Sequence, residues 1–204
     1  MVIGLTGGSG CGKTTALTVL QELGAVCYDA DAVYHELLRT DAAMLREIGA
    51  AFPGSVENGV LQRKRLGAQV FGNPEALRRL SAITHPYVVR AIRAQLGPGL
   101  SVIDAFGLIE SGLGALCDCT VAVTAPTEAR VERLMAREGV SRTYAEARIA
   151  AQKTNEEFSA SCMLTLCNDG SREAFREKCR TIFEKWIKEK ETDGKPDVCT
   201  EKRL

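Results

Sequence analysis

Residues 7–14 read Gly7-Gly8-Ser9-Gly10-Cys11-Gly12-Lys13-Thr14 and have the spacing of a phosphate-binding loop. Glycines let such a loop take positive φ and wrap closely around a phosphate chain. Its N–H groups, with the positive end of the helix that follows, face the anion. Lys13 can reach the β- and γ-phosphates of a nucleotide, and the Thr14 hydroxyl can sit on Mg²⁺. Asp29 and Asp31 lie directly after the second apolar run. Paired carboxylates there divide labour, one serving Mg²⁺ and one a hydroxyl nucleophile. A plainer reading stays open, in which Asp29 ends a strand and Asp31 caps a helix. Arg130, Arg133, Arg137, Arg142 and Arg148 crowd a third segment. Phosphoryl transfer spreads negative charge over the equatorial oxygens, which mobile arginines stabilise under a lid that excludes water. The competing reading is a solvated helix face.

These groups need a scaffold, and the apolar runs supply one. Strands are expected at 2–6, 25–29, 100–104, 119–124 and 162–167. All are short and continuously apolar, as strands covered on both faces are. They alternate with helical stretches, which implies α/β architecture with a five-stranded parallel sheet in three α/β/α layers. The loop follows the first strand, Asp29 ends the second and Asp104 ends the third. Ligands of such sheets bind beyond the carboxyl ends. About seventy residues separate strands two and three, more than one crossover helix needs. They carry helical pieces at 30–38, 41–51, 63–71 and 74–96, the last expected to break at His85-Pro86. Thr143-Tyr-Ala-Glu146 reads as a capping box opening a helix to about Lys153. Phe175, Cys179, Ile182, Phe183 and Trp186 form the apolar stripe of a C-terminal helix, with Ser171 as its N-cap. One domain is expected over 1–191: core 1–29, 97–136 and 154–191, an inserted helical lobe at about 30–96, and a lid at about 137–153. Residues 192–204 read as a polar, disordered tail.

Twenty-six acidic residues balance twenty-six basic ones among 204. That balance gives no support for a nucleic-acid or membrane-surface partner. The start runs straight into the loop without a signal peptide, and no apolar run approaches the roughly 20 residues that span a bilayer. The expected location is the cytoplasm. The eight cysteines include no Cys-x-x-Cys pair, and the two histidines are remote from them, which argues against zinc. Most cysteines are expected to be reduced and in the core. Cys11, beside a helix N-terminus, is expected to favour the thiolate.

Asp104-Ala105-Phe106-Gly107 matches the Asp-x-x-Gly of GTPases, but the guanine-specificity element that should follow is missing. Gly194-Lys195-Pro196-Asp197 has the wrong first residue, so the GTPase reading is rejected. Asp104 either helps hold Mg²⁺ through water or only terminates its strand.

In order along the chain, the opening Ile3-Gly-Leu-Thr-Gly-Gly-Ser-Gly-Cys-Gly-Lys-Thr14, Tyr28-Asp29-Ala30-Asp31, Leu61-Gln62-Arg63, Val70-Phe71-Gly72-Asn73-Pro74, Ile83-Thr84-His85-Pro86, Leu108-Ile109-Glu110-Ser111-Gly112-Leu113, Arg133-Leu134-Met135-Ala136-Arg137, Arg148-Ile149-Ala150-Ala151-Gln152 and Asn168-Asp169-Gly170-Ser171 resemble the dephospho-coenzyme A kinase family. The resemblance covers nearly the whole chain up to the tail. It implies a P-loop kinase fold and ATP-dependent phosphorylation of the ribose 3′-hydroxyl of dephospho-CoA, with Mg²⁺ accompanying ATP. It further implies that Gly8, Gly10, Cys11, Gly12, Lys13, Thr14 and Thr15 hold the ATP phosphates. Asp31 would be the base or orienter for the hydroxyl, with Arg137 and Arg142 closing over the γ-phosphate. Asn168 would lie near the adenine, and Arg63 and His85 would receive the acceptor. Thr14 and Asp29 are the candidate Mg²⁺ ligands. The chain departs from the family pattern where Phe106-Gly107 replaces Pro-Leu and where Cys162-Met163 replaces Ala-Asp. The rivals are another small-molecule kinase of the same fold and a non-catalytic nucleotide-binding module. The oligomeric expectation is a monomer or weak homo-oligomer.

Overall fold

The computed structural model describes residues 1–193, with side chains as far as residue 189. Along the chain run β1 (Val2–Thr6), α1 (Lys13–Glu22), β2 (Val26–Asp29), α2 (Ala30–Thr40), α3 (Ala42–Ala51), β3 (Val56–Glu57), β4 (Val60–Leu61), α4 (Arg63–Val70), α5 (Pro74–Gln95), β5 (Ser101–Asp104), a 3₁₀ turn (Leu113–Leu116), β6 (Cys119–Thr124), α6 (Thr127–Glu138), α7 (Arg142–Ala150), α8 (Asn155–Ser161), β7 (Leu164–Cys167) and α9 (Arg172–Asp193). Helix α9 thus extends through Thr192 and Asp193, which the sequence placed in the tail. The rest of that stretch lies outside the described residues.

Five strands hydrogen-bond in the order β2-β5-β1-β6-β7. β1 pairs in parallel with β5 and with β6, and β6 with β7. Alternate residues of β1 serve opposite faces, as the pleat requires. Ile3 and Leu5 join the core formed with Ala16, Val19 and Leu20 of α1 and Phe175, Cys179 and Phe183 of α9. Gly4 faces the other way, where a Cβ would crowd Cys117 Sγ and Leu108. Both faces of the sheet are therefore covered along β1, which explains why it reads as an unbroken apolar run, whereas at the end strand β2 Val26 stays exposed.

The chain divides into two compact units, one of residues 1–27, 97–109 and 113 onward, the other Tyr28–Leu96 with Glu110–Gly112. The segment expected as a lid clusters with the first unit. α6 and α7 share a small core of Val131, Leu134, Ala145 and Ile149. In the second unit α2, α3, α4 and α5 enclose Leu38, Met44, Ile48, Phe52, Leu66, Leu80 and Tyr87.

Three local expectations need correction. α5 continues through Pro86 without a break. Proline removes the N–H that would bond the Ala82 carbonyl. Ala82 and Pro86 are both exposed, so water can take over that carbonyl while Leu80, Thr84, Tyr87 and Val88 hold the buried face. The cap of α7 is Ser141, whose Oγ accepts from the Tyr144 N–H at 3.2 Å, not Thr143, and the helix ends at Ala150. A true capping box lies further on, at Thr154 and Glu157, where each side chain accepts from the other residue's N–H at the start of α8.

Candidate active site

The phosphate loop is shaped by what stands behind it. Arg130 Nε donates to Ser9 O at 2.9 Å, Arg133 Nη1 to Gly10 O at 3.3 Å and Asn168 Nδ2 to Cys11 O at 2.9 Å. A planar trans peptide points its N–H opposite its C=O. Fixing the Ser9 and Cys11 carbonyls on the protein side therefore turns the Gly10 and Gly12 N–H groups to the other side, the geometry of an anion nest. The Cys11 N–H closes a turn on Gly8 O at 3.3 Å. Gly12 is the N-cap of α1 with φ of 98°, and a Cβ there would overlap Asn168 Nδ2. Only glycine suits both conditions. The first turn of α1 has no acidic side chain to compete for its positive end.

Lys13 Nζ lies 2.6 Å from Asp104 Oδ1, at the carboxyl end of β5. The contact is an ion pair off the line of a hydrogen bond, and Oδ1 is buried with no hydrogen-bond partner. The residue that would grip a phosphate is thus held by a carboxylate at the strand end. Thr14 is exposed and Thr15 half-buried in the first turn of α1. Cys11 overturns its expected thiolate character. The side chain is 1% exposed in the sheet core, and this burial pushes the thiol's pKa up despite the opposing Lys13 amide and ammonium. Cys119 and Cys179 are buried like it, while Cys27, Cys117, Cys162 and Cys167 are only partly so; none of these seven is in a disulfide.

The arginines divide into two groups that the sequence did not separate. Arg130 and Arg133 are not mobile lid groups. Arg130 is buried and bonded to the loop, and Arg133 also donates to Asn168 Oδ1 at 3.2 Å. Arg137, Arg142 and Arg148 stand on α6 and α7 with acidic partners. Glu138 accepts from Arg137 and from Arg148, each at 2.5 Å. Glu128 and Glu146 accept from Arg142 and raise its pKa further, Glu128 most. Asn168, expected beside the adenine, is 5% exposed and spends its amide on Cys11 O and Arg133. Gln152 carried no signal beyond the resemblance, yet its side chain bonds Ser9 and Arg130.

In the second unit, Asp29 caps α2: Oδ1 accepts from the N–H of Asp31 at 2.9 Å and of Ala32 at 3.0 Å. The capping role weighed for Asp31 belongs to Asp29. Asp31 sits exposed in the first helical turn. Arg63 opens α4 exposed, close enough to Tyr34 for its charge to act on the phenol. His85 is half-buried on α5, and the loss of solvent lowers its pKa.

A parallel sheet whose first strand opens into a braced anion nest, with a lysine at its mouth and arginine-bearing helices following β6, defines the phosphate-loop class of phosphoryl-transfer proteins. Comparison with known proteins narrows the class. The family model described as dephospho-CoA kinase matches residues 1–174. A dephospho-CoA kinase of Anaeromyxobacter dehalogenans is 42% identical over 190 residues, covering 89% of this chain and 90% of that one. A Thermus thermophilus structure titled TT1252 superposes with a TM-score of 0.71 at 33% identity, covering 91% of this chain and 97% of that one. The dephospho-CoA kinase of Campylobacter jejuni gives 0.65 at 26%, covering 90% and 96%. The chain belongs to the dephospho-CoA kinase family.

Proposed function

We infer that this chain transfers the γ-phosphoryl group of ATP to the ribose 3′-hydroxyl of dephospho-CoA, giving CoA and ADP as the last step of CoA synthesis. The observation that carries this reading is the family match across residues 1–174, which spans the phosphate loop, the helical unit and the arginine helices.

The roles follow from the chemistry of each group. Within the Gly8–Thr15 segment, the amides turned outward by the carbonyl braces, those of Gly10 and Gly12 first, bind the phosphate chain. Lys13 exchanges Asp104 for the β- and γ-oxygens and neutralises charge as it develops. The acceptor oxygen forms a bond to the γ-phosphorus while the bond to the β–γ bridging oxygen breaks, and ADP leaves. The acceptor proton passes to the Asp31 carboxylate. Arg137 and Arg142 exchange their glutamate partners for the transferring phosphoryl group. Arg63 and His85 hold the acceptor. Asn168 acts through the loop, by holding Cys11 O, beside the adenine end of ATP.

The chemistry of individual donors supports Mg²⁺ accompanying ATP. In the first unit Thr14 offers an exposed hydroxyl, and Asp104 has a buried Oδ1 that Lys13 would vacate on turning to phosphate; in the second, Asp29 keeps Oδ2 outside its capping bonds. These are hard oxygen donors, and Mg²⁺ takes few of them from protein when phosphates complete its shell. Bound there, it would shield the β- and γ-oxygens from the incoming nucleophile. No helix among the described residues is long and apolar enough to cross a membrane. We place the reaction in the cytoplasm, a reducing compartment in keeping with seven described cysteines outside any disulfide, and assign it to a monomer or weak homo-oligomer.

A coupled assay of ADP release tests this reading. ADP should form rapidly from ATP only when dephospho-CoA is added, and neither shikimate nor nucleoside monophosphates should replace it. Equal ADP release with and without dephospho-CoA would overturn the assignment.

A further inference from the structure

Gln152 follows the last turn of α7, its own N–H donating to Ile149 O at 3.1 Å. Its side-chain amide makes three bonds. Oε1 accepts from the Ser9 N–H at 2.9 Å and from Arg130 Nη2 at 2.9 Å, and Nε2 donates to Ser9 Oγ at 2.7 Å. Arg130 completes the arrangement through Nε to Ser9 O. Ser9 is thereby held at its amide, hydroxyl and carbonyl by two side chains. One stands on α6 and the other just beyond α7. Those two helices carry Arg137 and Arg142 and share one small core. A glutamine suits this position because it presents a donor and an acceptor in one plane.

We propose that Gln152 is a positioning residue that ties the phosphate loop to the arginine-bearing α6–α7 pair, so that loop and arginines meet the terminal phosphate in fixed register. This inference rests on the kinase reading above. Gln152 acts through Ser9 and Arg130 and touches neither substrate. The remaining loop amides and Lys13 still bind ATP when the tie is cut. What is lost is alignment in the transition state and the exclusion of water, which then accepts some of the phosphoryl groups.

The full chain is assayed with ATP and dephospho-CoA, measuring kcat, KM for ATP and the ratio of ADP to CoA formed. Gln152→Leu should lower kcat by ~10- to 100-fold with KM for ATP within ~3-fold, and the ratio should rise above one. Gln152→Asn, which keeps the amide but is too short to span both partners, should show the same pattern and serves if the leucine variant does not fold. Gln152→Glu still accepts from the Ser9 amide, from Arg130 and from a reoriented Ser9 hydroxyl, so it should recover to within ~5-fold of the wild type. A packing role predicts the opposite order, with Leu near wild type and Glu impaired. That order, or Leu and Asn variants that keep wild-type kcat and one CoA per ADP, would overturn the proposal. A wild type that makes no CoA would instead remove the kinase reading, and the tie with it.

Discussion

At the scale of single residues, the loop is braced by bonds to its carbonyls, while Lys13 is paired with Asp104, Arg142 with Glu128 and Arg137 with Glu138. Under the proposed function each of these cations would exchange its carboxylate for phosphate. Lys13→Ala should therefore cut kcat by about 10²- to 10³-fold with little change in thermal midpoint, measured by steady-state kinetics beside a melting curve. Asp31→Asn should lose about 10²- to 10⁴-fold in kcat. Asp31 is exposed, so its melting curve should overlay the wild type. Wild-type turnover from Asp31→Asn removes it from the proton-accepting role. His85 makes a separate prediction. Burial lowers its pKa from the usual 6.5, so the unfolded chain takes up a proton there before the folded one. Stability is then complete above the unfolded value and is lost as pH falls through it toward the lower folded one. Denaturant midpoints from about pH 7.5 to about pH 5 should decline, and His85→Gln should flatten part of that slope.

At the scale of elements, α5 is where local rules and packing disagree most. Pro86 lacks the bond to Ala82, yet five buried residues along one face keep the helix continuous. Pro86→Ala restores a donor on the solvent side and should stabilise the chain by about 1–3 kcal/mol, read as a rise in denaturant midpoint. A fall would mean the proline shapes the helix in a way the packing requires. This helix also shows why some of the fold escaped the sequence. Strand positions were legible because two-sided burial leaves unbroken apolar runs, and the loop was legible because its spacing is set by phosphate geometry. Element ends were less so. Thr143 and Ser141 are both good caps two residues apart, and the choice falls to Ser141 through packing of Ala145 and Ile149 on α6. Asn58-Gly59 is the only signal of the β3–β4 hairpin, with φ of 50° and 76° suiting a tight turn, because its two-residue strands are too short to show an apolar pattern. The two classes of arginine could not be told apart, because Arg130 and Arg137 look alike until burial separates them.

At the scale of the whole molecule, the chain combines a nucleotide-type unit with a helical unit built into the connection between β2 and β5. The long gap between those strands was visible in the sequence. Where the chain changes unit was not, because Cys27 and Tyr28 lie within one continuous strand. A similar difficulty surrounds 137–153, whose charge suggested independence while Val131, Leu134, Ala145 and Ile149 bind it into the first unit. The central claim concerns the whole chain, because the proposed function assigns the phosphate chain to one unit and the base for a sugar hydroxyl to the other. The most direct measurement follows γ-labelled ATP incubated with Mg²⁺, dephospho-CoA and the enzyme. The account predicts that the label appears on the ribose 3′-oxygen of CoA. Label that ends in inorganic phosphate, or that never leaves ATP, would contradict it.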